Sequence, residues 1–192
     1  MPISKEEIAS AALTLAGANP ITSFTEDNNE ARAADALYEN EVQDMLSCYP
    51  WRFAMQSAPM VKTATAPSSL HEAAYPIPSD CIRTYMVHRG TEKVIEKFDV
   101  YGTEIHTYSD TEFILDYTAR VSEAIFPAWF INALEYKLAA VFSAAVAHNG
   151  ELAGYWEQKY ASQLMKAKHI DSTQDQPNKI RATRFTSAKK EF

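Results

Sequence analysis

The sequence predicts an α+β fold that is mainly α: an antiparallel helical bundle of four main helices with a small antiparallel β insertion and an extended C-terminal tail. Three observations predict it. Apolar residues recur at helical spacing in four segments, two before residue 50 and two after residue 126. The stretch between them is rich in β-branched and aromatic residues and is punctuated by Gly90, Gly102 and the Ser109-Asp110 pair. From Ser172 onward apolar periodicity fades. The expected organisation is a discontinuous helical domain over 1–56 and 123–171, a β-rich insertion over 57–122, and a flexible basic tail over 172–192.

The elements follow in order. Ser4 and Glu7 make a capping box, after which Ile8, Ala11, Ala12 and Leu15 keep helical spacing until Gly17 and Pro20 stop it, so the first helix covers about 5–17. The polar turn "TSFTEDNNE" supplies Glu26, Asp27 and Glu30 to the positive end of the next helix. Ala34, Leu37, Tyr38, Val42, Met45 and Tyr49 mark one face of that second helix. Pro50 disfavours helical geometry at Tyr49, so the helix ends there and the chain turns. Trp51 and Phe53 then stand on alternate positions, which can aim both rings at one apolar surface. Tyr49, Trp51 and Phe53 are therefore expected to anchor the helix exit.

Pro59, Pro67, Pro76 and Pro78 predict irregular chain and short edge strands over 57–79. "CIRTYMVHRG", "KVIEKFDVYGTEIHTYS" and "EFILDYTARV" read as strands of one small antiparallel sheet. Pro127 suits the first turn of the third helix, where Phe126, Phe130, Leu134, Leu138 and Phe142 follow at intervals of four. Trp129, Val141, Ala145 and Val146 widen its apolar surface, so this helix should sit centrally in the bundle or between subunits. Asn149-Gly150 reads as a helix stop, and Leu152, Trp156, Tyr160, Leu164 and Ala167 form the stripe of a fourth helix reaching about His169.

Composition narrows function. The chain has 192 residues, 46% hydrophobic and 22% charged, enough for a hydrophobic core and incompatible with wholesale disorder. Of the net charge of −7, residues 1–171 carry −10 and residues 172–192 carry +3, so an acidic body ends in a basic arm. The amino terminus "MPISKEEIAS" lacks the pattern of a secretion signal. The apolar stretch 128–147 holds Asn132, Glu135 and Lys137, which argues against a membrane span.

No motif points to catalysis. The five glycines are scattered, so no phosphate-cradling loop is expected. His71, His88, His106, His148 and His169 fit no metal-ligand spacing and are expected to be isolated, and Cys48 and Cys81 form no CxxC pair. Asp110, Glu112 and Asp116 cluster on one expected strand, but Phe113 and Leu115 already supply its buried face, so a solvated carboxylate face is the simpler expectation. No cofactor or metal is expected, and the chain is not expected to be an enzyme. Two other classes remain open from the residues: a small hydrolase or lyase using Asp110, Asp116 and a histidine in a deep pocket, and a nucleic-acid-binding regulator using the basic arm.

The order of "LAGANPITSFTEDNNEARAADALYENEVQDMLSCYPWRFA", "YPIPSDCIRTYMV" and "FPAWFINALEYKLAAVFSAAVAHNGELAGYWEQKYASQLMKAKHID" resembles the head-to-tail adaptor, or tail tubular protein A, family of short-tailed bacteriophages, over about residues 3–170. The wider set of head-tail connector proteins, including other neck and head-completion components, looks similar. The resemblance implies a structural virion protein of the neck and tail, made in the bacterial host cytoplasm and needing no membrane. It implies a self-assembled ring, typically of about twelve subunits, between the portal protein and the tail nozzle protein, closing the head and lining the channel through which genomic DNA leaves without sequence-specific binding. On that basis Lys179, Arg181, Arg184, Phe185, Lys189, Lys190 and Phe192 are expected to contact the portal. Trp129, Phe130, Leu134, Leu138 and Phe142 are expected to contribute to subunit packing.

Overall fold

The computed structural model describes residues 3–65, 67, 70–90 and 94–174. Among these, four α-helices and two small antiparallel sheets make a mixed α+β structure. Helices α1 (Lys5–Leu15) and α2 (Asn29–Ser47) come first, followed by a 3-10 turn, Arg52–Ala54. The strands are β1 (Met55–Met60), β2 (Ala73–Pro76), β3 (Cys81–Arg89), β4 (Val94–Ile95), β5 (Phe98–Tyr101), β6 (Glu104–Thr107) and β7 (Phe113–Ala119). A second 3-10 turn, Glu123–Ile125, leads into α3 (Ala128–Ala145) and α4 (Gly150–Thr173).

Local chemistry sets the helix ends. Ser4 Oγ accepts from Glu7 N at 3.2 Å while Ser4 N donates to the Glu7 carboxylate at 2.9 Å, closing the capping box that starts α1. Gly17 follows the helix at φ +76°, the left-handed conformation that favours glycine. Asn28 Oδ1 caps α2 through Ala31 N at 2.7 Å. Helix α2 ends at Ser47, two residues before the expected Tyr49, and two further ends change. Asn149 does not stop a helix: α3 already ends at Ala145, and Asn149 Oδ1 accepts from Leu152 N at 3.1 Å, starting α4. Helix α4 runs on to Thr173, past the expected end near His169, because Ala167 and Asp171 are buried and hold its last turns against the body.

The β region forms two sheets where the sequence suggested one. The first has strand order β1-β7-β3-β4 and the second β2-β6-β5. The cause is Gly102, whose φ of +60° permits a two-residue turn between Tyr101 and Glu104. That turn folds β5 onto β6 as a separate hairpin, leaving only Val94–Ile95 of the middle segment on β3. Pro59 is tolerated because β1 is an edge strand. Val87, Phe113 and Leu115 of the first sheet and Tyr75 and Ile105 of the second are buried together, with the Tyr75 and Phe113 rings 5.5 Å apart.

Helix α3 is central, packing against α1, α2 and α4. The buried core is continuous from these helices through Trp51 and Ala54 into the sheets. Arg120, just past β7, is a polar joint across that junction. Its guanidinium grips Glu39 of α2 through two bonds of 2.8 and 2.9 Å, and donates to Glu123 at 2.6 Å and to the Val121 carbonyl.

Candidate functional site

The aromatic exit of α2 is a joint of four segments. Trp51 is completely buried and its indole Nε1 donates to the Met45 carbonyl at 2.7 Å. Its ring lies 4.9 Å from Tyr49, 5.6 Å from Trp129 and 5.3 Å from Phe130, while Phe53 meets Phe130 at 4.9 Å and Phe126 at 5.9 Å. These distances suit tilted and edge-to-face packing, which adds to burial.

The fourth segment is the end of α4. Asp171 is fully buried, and both its carboxylate oxygens accept from Arg52 N at 3.2 Å. The carboxylate thereby satisfies an N–H at the start of the 3-10 turn. Lys168 adds its ammonium over the Tyr49 ring at 5.8 Å. Sequence reasoning overlooked Asp171, although a signal existed: it continues the α4 stripe four residues beyond Ala167, and a carboxylate on an apolar stripe requires a partner.

Burial raises the Asp171 carboxyl above its ordinary value, opposed by the Arg52 N–H bonds and the Arg52 charge. A folded-state pKa above the unfolded one means that the folded chain holds this proton more tightly. The stabilisation is present below the ordinary carboxyl value near pH ~4 and is lost as pH rises through the raised value. Asp171→Asn keeps an acceptor for Arg52 N–H but cannot ionise, so the stability difference between variant and wild type should shift in favour of the variant as pH rises across that window. Urea unfolding at a series of pH values measures this, and a difference independent of pH would contradict it.

The residues expected at subunit contacts are placed otherwise. Phe130, Leu134, Leu138 and Phe142 are completely buried in the chain's own core, because α1, α2 and α4 close around α3. They have no surface left for a second copy. Trp129 is partly buried and packs on Trp51 and Phe53. The expected portal contacts Lys179, Arg181, Arg184, Phe185, Lys189, Lys190 and Phe192 lie outside the described residues.

The three carboxylates do not converge. Asp116 is on β7, accepting from Ser57 Oγ at 2.5 Å, with His88 Nε2 at 3.5 Å from it. Asp110 precedes the strand and pairs with Lys62 at 2.5 Å, while Glu112 is exposed. The nearby groove of about 490 Å³ is lined by Tyr49, Arg52, Met55, Tyr85 and Asp116, without Asp110 or Glu112. The pocket required by a two-carboxylate hydrolase is therefore not assembled from these residues.

Two histidines expected to be isolated instead meet on the second sheet. His71 Nε2 lies 2.8 Å from Asp99, Tyr108 Oη donates to the same carboxylate at 3.2 Å, and the His71 and His106 rings are 5.6 Å apart. His106 also stacks on Tyr101 and lies 3.4 Å from Glu104. Hydrogen bonding by His71, then by Tyr108, holds the Asp99 carboxyl below the usual range. The signal was the hairpin register, since the turn at Gly102 sets Asp99 directly opposite His106. Chemically the cluster pins the approach to β2 onto β5. Among the described residues no three His, Cys, Asp or Glu side chains are arranged to hold a metal ion.

Cys48 and Cys81 are both free thiols, and burial pushes Cys81 up to about 11, away from nucleophilic chemistry at neutral pH. Among the described residues, no helix is long and apolar enough to cross a membrane. Large apolar side chains remain exposed chiefly in two places, with Ile125 standing apart in the 3-10 turn before α3. Val61, Leu70, Ile95, Val100, Tyr101 and Tyr108 stand around the β region, and Tyr155, Met165 and Ile170 stand on α4. No protein-family model matches the chain, and none of the curated proteins matches it in sequence.

Proposed function

We propose that the protein is a structural head-to-tail adaptor of a tailed bacteriophage, assembling as a ring between the portal protein and the tail nozzle. The observation that carries this reading is the contrast between a core completed within one chain and the large apolar side chains left outside it. Large apolar side chains exposed in and around the β region and on α4 are available for contacts with other proteins. In this reading the four helices act as an antiparallel bundle, and the subunit contacts come from these exposed groups. The buried face of α3 takes no part in them. The basic C-terminal arm is the proposed portal contact.

The resemblance in the order of segments supports the same reading, as does the position of the arm directly after α4, which is fixed to the α2 exit by Asp171. The test is the solution mass of the protein with and without the portal ring encoded in the same genome. A stoichiometric ring complex is expected, with binding lost when residues 175–192 are removed. A folded protein that leaves the portal ring's mass unchanged would overturn the adaptor role and favour another neck component.

A further inference from the structure

The helical face formed by α2, α3 and α4 contains a small groove of about 290 Å³. Its apolar floor is Ala140, Val141 and Ala153, with Tyr160 at one side and Glu41, Lys137 and Glu157 at the rim. Lys137 is already engaged, at 2.8 Å from Glu41 and 2.5 Å from Asp44. One ammonium against Glu41 and Glu157 leaves the rim with a net charge of −1, and Asp44, outside the groove but paired with Lys137, adds a further negative charge beside it. The groove thus offers room for a large apolar side chain beneath an acidic edge.

We propose that the segment Arg181–Phe185 of the same chain docks in this groove, with Phe185 over Ala140, Val141 and Ala153, Arg184 against Glu157 and Arg181 against Glu41. Three arguments select this occupant. Residues 175–192 carry Lys179, Arg181, Arg184, Lys189 and Lys190 against Asp175 and Glu191, a net +3 that complements the rim. Phe185 is a large apolar side chain directly beside an arginine, which matches an apolar floor under acidic groups.

Reach is the third argument. Glu157 lies about 26 Å back along α4 from Gln174 at the helical rise, and the eleven residues from Gln174 to Phe185 extend to about 36 Å. A short tether also gives the segment a local concentration on the order of millimolar, which favours its own groove over that of a second copy. The proposal does not depend on the adaptor reading, because it concerns the free chain.

The test is NMR on the full-length, uniformly ¹⁵N-labelled protein, comparing wild type with Glu157→Lys, Phe185→Ala and the charge swap Glu157→Lys/Arg184→Glu. Glu157 is exposed, so its substitution leaves the core untouched. In wild type the amides of 181–185 should be more ordered than those of 188–192. Glu157→Lys and Phe185→Ala should each abolish that order and shift the amides of Ala140, Val141 and Ala153, and the charge swap should restore the wild-type pattern. Raising salt to about 0.5 M should weaken the docking. If 181–185 relax like the last residues in every variant, the proposal fails. Order that grows with protein concentration would also overturn it, assigning the groove to the segment of a second copy.

Discussion

Replacing Trp51 with alanine should lower the unfolding free energy by about 3–5 kcal/mol, the range found when a large aromatic side chain is removed from a packed core. Trp51 is completely buried, and its ring touches Tyr49, Phe53, Trp129 and Phe130. Because Phe53 still packs on Phe126, Trp129 and Phe130 when the indole is gone, α3 and the α2 exit stay propped apart and cannot close fully over the space it leaves. Trp51→Phe should be milder. It retains part of the packing, and although it removes the Nε1 bond to the Met45 carbonyl, the Cys48 thiol donates to the same oxygen at 3.2 Å. Urea unfolding followed by far-UV circular dichroism gives both values. A loss below about 1 kcal/mol for Trp51→Ala would mean that the site repacks and is no anchor.

The same residues show what the sequence could and could not convey. Period and capping made the helices legible: Ser4 with Glu7, and the four-residue spacing from Phe126 to Phe142, are local signals that tertiary structure had no reason to override. The aromatic run after Pro50 was legible as an inward-facing cluster because rings at alternate positions beyond a helix stop have few other places to go. Long-range pairing was not legible. Asp171 finds Arg52 across 119 positions and Asp99 finds His71 across 28, and although stripe and hairpin register mark Asp171 and Asp99, nothing local marks Arg52 or His71 as their partners.

The mistaken placement of Phe130, Leu134, Leu138 and Phe142 has a related cause. An apolar helix surface wider than one stripe announces burial on several sides, but it does not say whether the covering elements belong to the same chain. Here α1, α2 and α4 supply the cover. The division into two sheets turned on a single glycine, because a left-handed residue between two strand-like halves makes a hairpin that breaks away from its neighbours.

Removing Arg120 should have the next largest effect, about 2–4 kcal/mol for Arg120→Ala. A fully buried ion pair broken on one side costs about 3–5 kcal/mol, and the Arg120 side chain is 22% exposed, so part of the loss is recovered by water. Glu123, at 15% exposure, would lose its nearest cation, whereas Glu39, at 47%, can resolvate. Burial opposes the Arg120 charge, but hydrogen bonds and attraction from Glu39 and Glu123 more than offset it, and its pKa is raised. Tyr38 joins the network by donating to Glu123 at 3.4 Å, so the loss should spread from the end of β7 into α2.

Arg120→Lys should recover only part of the stability, because an ammonium cannot reproduce the two parallel bonds to Glu39 while also reaching Glu123 and the Val121 carbonyl. A double-mutant cycle with Glu123→Gln isolates the coupling, expected at about 1–2 kcal/mol. Hydrogen exchange then distinguishes a joint from an ornament. If Arg120 ties the sheets to α2, Arg120→Ala should raise exchange at the end of β7 and along α2 more than in α4. A uniform rise would instead place its contribution in global stability, with no special role at the junction.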